Sequence, residues 1–198
     1  LAAGAPLEVL PTPGQVNVPL LQHIGAPCEA TVKPRTEVAL GAKIGDAEAF
    51  VSAPVHASIS GATAAGTMVT LPNGRRVPAV PVKAGDEQPL AGDALREELF
   101  GGDWPTAGLD SHAPERIVEA VREAGLVGMG GAAFPTHVKL KANAERPVET
   151  LLVNGCECEP YLTADHRLMI DAPGPIVTGA LLAARAAGAE RVFIAIED

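Results

Sequence analysis

Along the first 92 residues the apolar positions come in short runs that never settle into a helical period. Gln15-Val-Asn-Val-Pro-Leu-Leu, Glu37-Val-Ala-Leu, Ala49-Phe-Val, the stretch from Ala62 to Leu71 and Val77-Pro-Ala-Val-Pro-Val are each broken off by Gly or Pro. Turn residues stand between them at Gly25-Ala-Pro, Gly41, Gly45-Asp, Gly61 and Pro72-Asn-Gly. Short apolar runs spaced by turn signals predict a small all-β unit. Asn73-Gly74 after Pro72 predicts a hairpin with a type I′ turn, whose central residues need the positive φ that Asn and Gly accept.

From Pro114 the period changes. Ile117, Val118, Val121 and Ala124 share one helical stripe, opened by Pro114, where a missing N–H costs little, and closed by Gly125. Glu149-Thr-Leu-Leu-Val-Asn reads as a buried strand, Pro175 to Gly188 as a second helix and Arg191-Val-Phe-Ile-Ala-Ile as a second strand. Strand, helix, strand predicts a parallel pair with a right-handed crossover. Residues 93–110, with Gly101-Gly-Asp-Trp-Pro, read as a connector in which Trp104 supplies apolar area or caps a seam between domains. The expected fold class is therefore α+β in two domains. An all-β module with its N-terminal tail occupies residues 1–92, a connector 93–110 and an α/β domain 111–198. Two parallel strands do not close a sheet of ordinary size, so the second domain is expected to continue past Asp198.

Charge and composition narrow the function. Twenty-four acidic against 15 basic residues give a formal charge of −9, which argues against general nucleic-acid binding. No apolar run reaches the ~18 residues of a membrane span. Leu1-Ala-Ala-Gly-Ala-Pro lacks a basic segment, an apolar segment and an initiator Met, so no secretory signal is expected and the chain reads as trimmed. Cys28, Cys156 and Cys158 are too few for a disulfide framework or for the four ligands of an iron–sulfur cluster. A soluble protein of a reducing compartment is the expectation.

Candidate chemistry lies in two segments. Gly125-Leu-Val-Gly-Met-Gly-Gly-Ala-Ala-Phe-Pro-Thr-His-Val-Lys packs four glycines and two alanines into nine residues. Such a stretch leaves main-chain amides open to a flat or phosphorylated ligand, and Pro135 then starts a short helix. It matches neither the Gly-x-Gly-x-x-Gly dinucleotide fingerprint after a strand nor the P-loop. A tight turn between helices is the plain alternative. The second segment, Val153-Asn-Gly-Cys-Glu-Cys-Glu-Pro-Tyr, follows the first predicted strand, where open α/β sheets bind ligands. Asn154 can donate and accept there, and Glu157 and Glu159 can accept from hydroxyls or a carboxamide; the plain alternative is a solvated loop. Cys156 and Cys158 leave a tetrahedral metal site half empty, so no metal site is expected. His23, His56, His112, His137 and His166 have no Ser or Cys nucleophile in a known motif, so no hydrolase triad and no residue in a catalytic role is assigned.

Three resemblances carry further expectations. Glu37-Val-Ala-Leu-Gly and Ser52-Ala-Pro-Val-His-Ala-Ser-Ile-Ser-Gly resemble the hammerhead modules of biotinyl and lipoyl carriers, the barrel-sandwich hybrids. The carrier lysine is missing from Asp46-Ala-Glu-Ala-Phe, and Lys43 stands too close to Gly41 and Gly45, so the module is expected to dock or scaffold. Gly128-Met-Gly-Gly-Ala-Ala-Phe-Pro-Thr-His-Val-Lys with Leu152-Val-Asn-Gly-Cys-Glu-Cys-Glu-Pro-Tyr resembles the flavin and NADH site of the NADH-oxidising flavoprotein subunit of respiratory complex I. Leu20-Leu-Gln-His-Ile-Gly-Ala-Pro and Gly188-Ala-Glu-Arg-Val-Phe-Ile-Ala-Ile-Glu-Asp make the C subunit of the Rnf electron-transport complex the nearer resemblance, over residues 15–198.

That resemblance implies a barrel-sandwich hybrid followed by the first part of an FMN- and NADH-binding domain. Gly128, Gly130, Gly131 and Ala132 would embrace the stacked rings, Phe134 would stack on the dinucleotide, and Lys139 would contact a phosphate or ribose. Asn154 would bond the flavin, Glu157 would sit in its pocket, and Glu159 would hold the nicotinamide end. The implied activity is hydride exchange between NADH and FMN, with electrons relayed to iron–sulfur clusters past residue 198 or on partner subunits. The chain would then be peripheral on the cytoplasmic side of the inner membrane, beside the other subunits of an ion-translocating complex. Three departures stand out: Ala133 replaces a loop glycine, Met129 an arginine of the complex I relatives, and Cys156 the alanine usual in the Rnf relatives. The alternatives are a cobalamin reductase of bacterial microcompartments with the same domain order, and a non-catalytic docking module that has lost its flavin.

Overall fold

The computed structural model describes residues 4–129, 132–141, 145–157 and 159–197. They fall into two compact units. One joins Pro11–Ala91 with Glu119–Lys139; the other is built on Gly92–Val118 and the residues from Leu140 onward.

The first unit carries eight strands: β1 (Gln15–Pro19), β2 (Glu29–Ala30), β3 (Glu37–Val38), β4 (Lys43–Asp46), β5 (Val55–His56), β6 (Gly61–Thr63), β7 (Thr67–Thr70) and β8 (Arg76–Ala84). Among the described residues they form two separate antiparallel sheets and no closed barrel. One runs β1-β8-β6-β3 with β7 also on β8, and the other runs β2-β4-β5. Both sheets contribute to one core, in which Val18, Ile44, Val55, Val80 and Val82 are buried with Leu20, Cys28, Ala57 and Ile59. β8 is the spine despite Pro78 and Pro81. Prolines cannot donate, but their carbonyls accept from Leu20 N and Ala64 N, each at 2.8 Å, so the strand keeps its partners through acceptors.

The hairpin predicted at Pro72-Asn-Gly joins β7 to β8, with Val69 opposite Val77 and Thr70 opposite Arg76. Its turn is not type I′. Proline fixes a negative φ at the first central position, so Gly74 N–H closes the turn on Leu71 O at 2.8 Å, and only Gly74 takes a positive φ, +82°. The run Ala49-Phe-Val forms no strand; Val51 O instead accepts from Ala26 N at 3.0 Å. Strands β2, β4 and β5 had no predicted counterpart, being too short to show a period.

In the second unit β9 (Thr150–Asn154) and β10 (Arg191–Ala195) pair in parallel, Thr150 opposite Arg191. Helix α5 (Pro173–Ala187) packs on both strands. It opens with proline and closes on Gly188, whose φ of +74° turns its N–H back to Ala184 O and Arg185 O. Helix α4 (Ala164–Asp171) precedes it. The predicted connector holds a further helix, α1 (Gly92–Phe100), and a 3-10 turn at Leu109–Ser111. Trp104 lies over the Gly174 backbone, where an added Cβ would be 3.0 Å from its ring, and its indole N–H donates to Gly101 O at 2.7 Å. Helix α2 (Pro114–Glu123) has the predicted bounds, with Ile117 buried and Gly125 at φ +68° just beyond. Among the described residues no helix is long and apolar enough to cross a membrane.

Candidate functional site

The glycine-rich segment is seated on the β unit at several points. Gly125 comes first: a Cβ there would stand 2.3 Å from Pro54 O and 3.1 Å from the His56 ring, and its φ is positive. Only glycine fits both constraints. Beyond it a bridge pairs Val127 with Pro135, with Gly128 N–H donating to Phe134 O (2.9 Å) and Thr136 N–H to Leu126 O (2.9 Å). On the far side Ile24 N–H donates to Ala133 O (3.3 Å). Helix α3 (Thr136–Leu140) follows, where the buried His137 bonds through Nε2 to Phe50 O at 3.2 Å and meets the Phe50 ring edge-on. Lys139 folds back over the loop, so that a Cβ on Gly128 would come 3.2 Å from its Nζ. A bare backbone beside an ammonium group is a cradle that a side chain at 128 would fill. That chemistry suits a phosphate or another anion.

Two stretches quoted above for their resemblance supply this seat. Within Leu20–Pro27, His23 Nε2 accepts from Ala53 N (3.2 Å), and Gly25, at φ +117°, leaves no room for a Cβ against Val51 O. Within Ser52–Ala57, Ser52 is fully buried and donates to Ala26 O (3.0 Å). The Cys28 thiol between them donates to Ala53 O (3.2 Å), and burial pushes its pKa up. Cys28 is therefore a packing residue.

A ring of four charges ties β4 to the end of α2. Lys43 Nζ lies 2.9 Å from Asp46 and 2.7 Å from Glu123; Arg122 lies 3.1 Å from Asp46 and 2.8 Å from Glu123. Cations and carboxylates alternate around it. Arg122 also donates to Ala47 O (3.2 Å), and Ala47 N–H to Asp46 (2.8 Å). The Glu123 carboxylate raises the Lys43 pKa, and the same bond lowers that of Glu123. For Asp46 partial burial pushes upward, but Lys43, the Ala47 amide and Arg122 together hold it below the ordinary range. Lys43, the lysine weighed as a carrier site, is engaged by two carboxylates.

In the second unit the carboxyl ends of β9 and β10 border a cavity of about 570 Å³, lined by Glu157, Glu159, Tyr161, His166, Met169 and Ile196 among others. Gly155 N–H extends the ladder to Ala195 O (2.8 Å), and a Cβ at Gly155 would stand 3.0 Å from both that oxygen and Met169 Sδ. Asn154 Oδ1 accepts from Cys156 N (3.1 Å), which leaves its amide nitrogen as a donor. Glu157 reaches to α4 and accepts from Asp165 N (3.1 Å) and His166 N (3.5 Å), capping a helix whose Thr163 makes no side-chain cap. Tyr161 lines the cavity with an exposed ring and a φ of +70°, a strained conformation for a non-glycine residue.

Of the residues singled out in the sequence, Gly128, Ala132, Phe134 and Lys139 thus belong to the β unit and Asn154, Glu157 and Glu159 to the other. Gly130, Gly131 and Cys158 lie outside the described residues. Among the described residues no group of three or more His, Cys, Asp or Glu side chains is placed to hold a metal ion. Sequence reasoning missed Ile24, Phe50, Asp46 and Arg122 as partners of the glycine segment. The signal available was the family-like stretch Leu20–Pro27, which contains Ile24.

Comparison with known proteins gives two domain families in order. The RnfC barrel sandwich hybrid domain matches residues 1–87, and the Nuo51 FMN-binding domain matches residues 121–198. The C subunit of the Na(+)-translocating ferredoxin:NAD(+) oxidoreductase complex of Acetobacterium woodii is 40% identical over 99% of this chain and 42% of its own length. The C subunit of the ion-translocating oxidoreductase complex of Rhodobacter capsulatus is 39% identical over 100% of this chain and 37% of its own. Its counterpart in the proton-translocating ferredoxin:NAD(+) oxidoreductase complex of Clostridium ljungdahlii is 36% identical over 99% and 41%. The chain therefore spans about two fifths of the length of these curated relatives.

Proposed function

This chain is homologous along its whole length to the C subunit of Rnf-type ion-translocating oxidoreductases, and from that premise we propose that it binds FMN and NADH as the hydride-exchanging part of such a complex. Electrons would pass on to iron–sulfur clusters in the rest of the protein or on its partners, with the whole peripheral on the cytoplasmic side of the membrane. The observation that carries this reading is the FMN-binding-domain match, which covers both the glycine segment with Lys139 and the polar strand end at Asn154.

The residues present fit such a cofactor. Gly128 and Lys139 form the cradle described above, which suits a phosphate. Ala132 keeps side chains beside it small, and the half-buried Phe134 offers an apolar ring face. Taken by itself, the other unit offers an amide donor at Asn154 and, at the exposed Glu159, an acceptor for a ribose hydroxyl or a carboxamide. Glu157, which caps α4, fixes the strand end that carries them. Bound FMN would supply the hydride acceptor, a chemistry no side chain offers. The chain's part is to align the two rings and to exclude bulk beside them.

The test uses the full-length protein. Titration with the protein should quench FMN fluorescence, and NADH added without oxygen should bleach the flavin absorbance. Lys139→Ala should weaken FMN binding about tenfold, the loss of one charged phosphate contact. A full-length protein that takes up no FMN, or whose bound flavin NADH leaves unbleached, would instead favour a docking module without flavin, for which the extra methyl at Ala133 is the supporting feature.

A further inference from the structure

We propose that the β unit is the positioning platform of the glycine segment, and that Lys43 and Asp46 on β4, closed in a ring with Arg122 and Glu123, set the direction in which that segment leaves α2. The proposal rests on the reading above that residues 125–139 help to hold FMN. Its grounds are geometric. Four bonds of 2.7–3.1 Å close the ring, and the Ala47 amide and carbonyl fix Asp46 and Arg122 from behind. The ring side chains are part-exposed, so each pair contributes little to global stability. What a closed ring does is remove rotamer choice from Arg122 and Glu123, the last residues of α2.

Two positions later Gly125 presses on Pro54 O, and from there the segment meets the β unit again through Ile24 to Ala133 and Phe50 to His137. Contacts at 122–125, 133 and 137 thus bracket the part of the loop that carries Gly128 and Ala132. A shift of the ring would tilt the segment about these points. Misplacement of about 1 Å is enough to lower binding and catalysis by large factors. Asp46 and Arg122 are accordingly positioning residues that touch no cofactor themselves.

Charge inversion in the full-length protein tests this without changing net charge. Lys43→Glu with Asp46→Lys keeps the pair within β4 but makes both links to α2 repulsive. Arg122→Glu with Glu123→Lys does the same from the helix side. All four changes together restore the alternation. Each half-inversion is expected to weaken FMN binding about tenfold. It should also speed amide exchange over residues 126–136 in the flavin-free protein, and the fourfold variant should bring both readouts back to within about twofold of wild type.

Unchanged FMN affinity and loop exchange in the half-inversions, or no recovery in the fourfold variant, would overturn the proposal. If a half-inversion fails to fold, Asp46→Asn and Arg122→Lys take its place. They should shift the same two readouts in the same direction by smaller factors, and no shift in either counts against the platform. Loop exchange is read without flavin, so a wild-type protein that binds no FMN defeats the functional reading while exchange still decides the positioning role.

Discussion

Ala133 holds a φ of +50° in the glycine segment, a left-handed conformation that favours glycine. A left-handed alanine costs about 1–2 kcal/mol, whereas glycine costs about 0.5–1 kcal/mol of extra chain entropy. Ala133→Gly should therefore stabilise the chain by about 0.5 kcal/mol, seen as a higher urea midpoint with an unchanged slope. A lower midpoint would mean that the methyl packs usefully. Gly125 is the opposite case, since its positive φ and the nearby Pro54 oxygen both forbid a side chain. Both residues were marked in the sequence, one as a helix stop and one as a departure from the family. Their conformations were not, because φ at such positions is set by what the loop must reach.

Elements show the same division between local and distant causes. Helices α2 and α5 were legible from their periods and from Pro and Gly at their ends, and the parallel strands β9 and β10 from their apolar runs. The expectation that β9 is buried fails, because Leu152 is more than half exposed and no residue of β9 is buried. Helix α4 depends on a distant partner: its first amides are met by Glu157, six residues before Thr163. Glu157→Ala should fray α4 and cost about 1 kcal/mol, as the loss of a cap usually does, while Glu157→Gln should keep most of it. Urea unfolding with exchange at residues 165–168 would check this.

Helix α3 carries a pH-sensitive contact. Burial lowers the pKa of His137, with Arg122 acting the same way and the bond to Phe50 O opposing both. The fold thus favours the neutral ring. Its contribution is complete above about pH 6.5, where an unfolded histidine is also neutral, and it is lost as pH falls through the lower folded value. The urea midpoint should drop on acidification below pH 6.5, and His137→Gln should flatten part of that drop. An unaltered pH profile in the variant would remove His137 from the account.

Across these 198 residues taken together the formal charge of −9 sets the background against which an anionic cofactor arrives. Repulsion between like charges slows encounter and is relieved by salt. The association rate of FMN should rise about twofold between low and physiological ionic strength. A falling rate would show that the local field of Lys139 outweighs the global one. The grouping of residues 119–139 with the strands of Pro11–Ala91 is also a property of this scale. It joins a late segment of the chain to an early module through Pro54, Ile24, Phe50 and the charge ring.

The sequence by itself determined the two kinds of unit, the ends of the long helices and which two segments are proposed to carry the chemistry. Those depend on periodicity, on Pro and Gly, and on residue types that neighbours in the chain can reveal. Tertiary structure alone decided that the glycine segment is seated on the β unit, that Glu157 caps a helix, and that the Asn73-Gly74 turn departs from type I′. These outcomes turn on pairings between residues as far apart as Asp46 and Arg122, or on which of two neighbouring preferences wins, as at Pro72. Contacts across such separations leave no period behind them, because nothing in the order of residues records which surfaces meet once the chain has closed on itself.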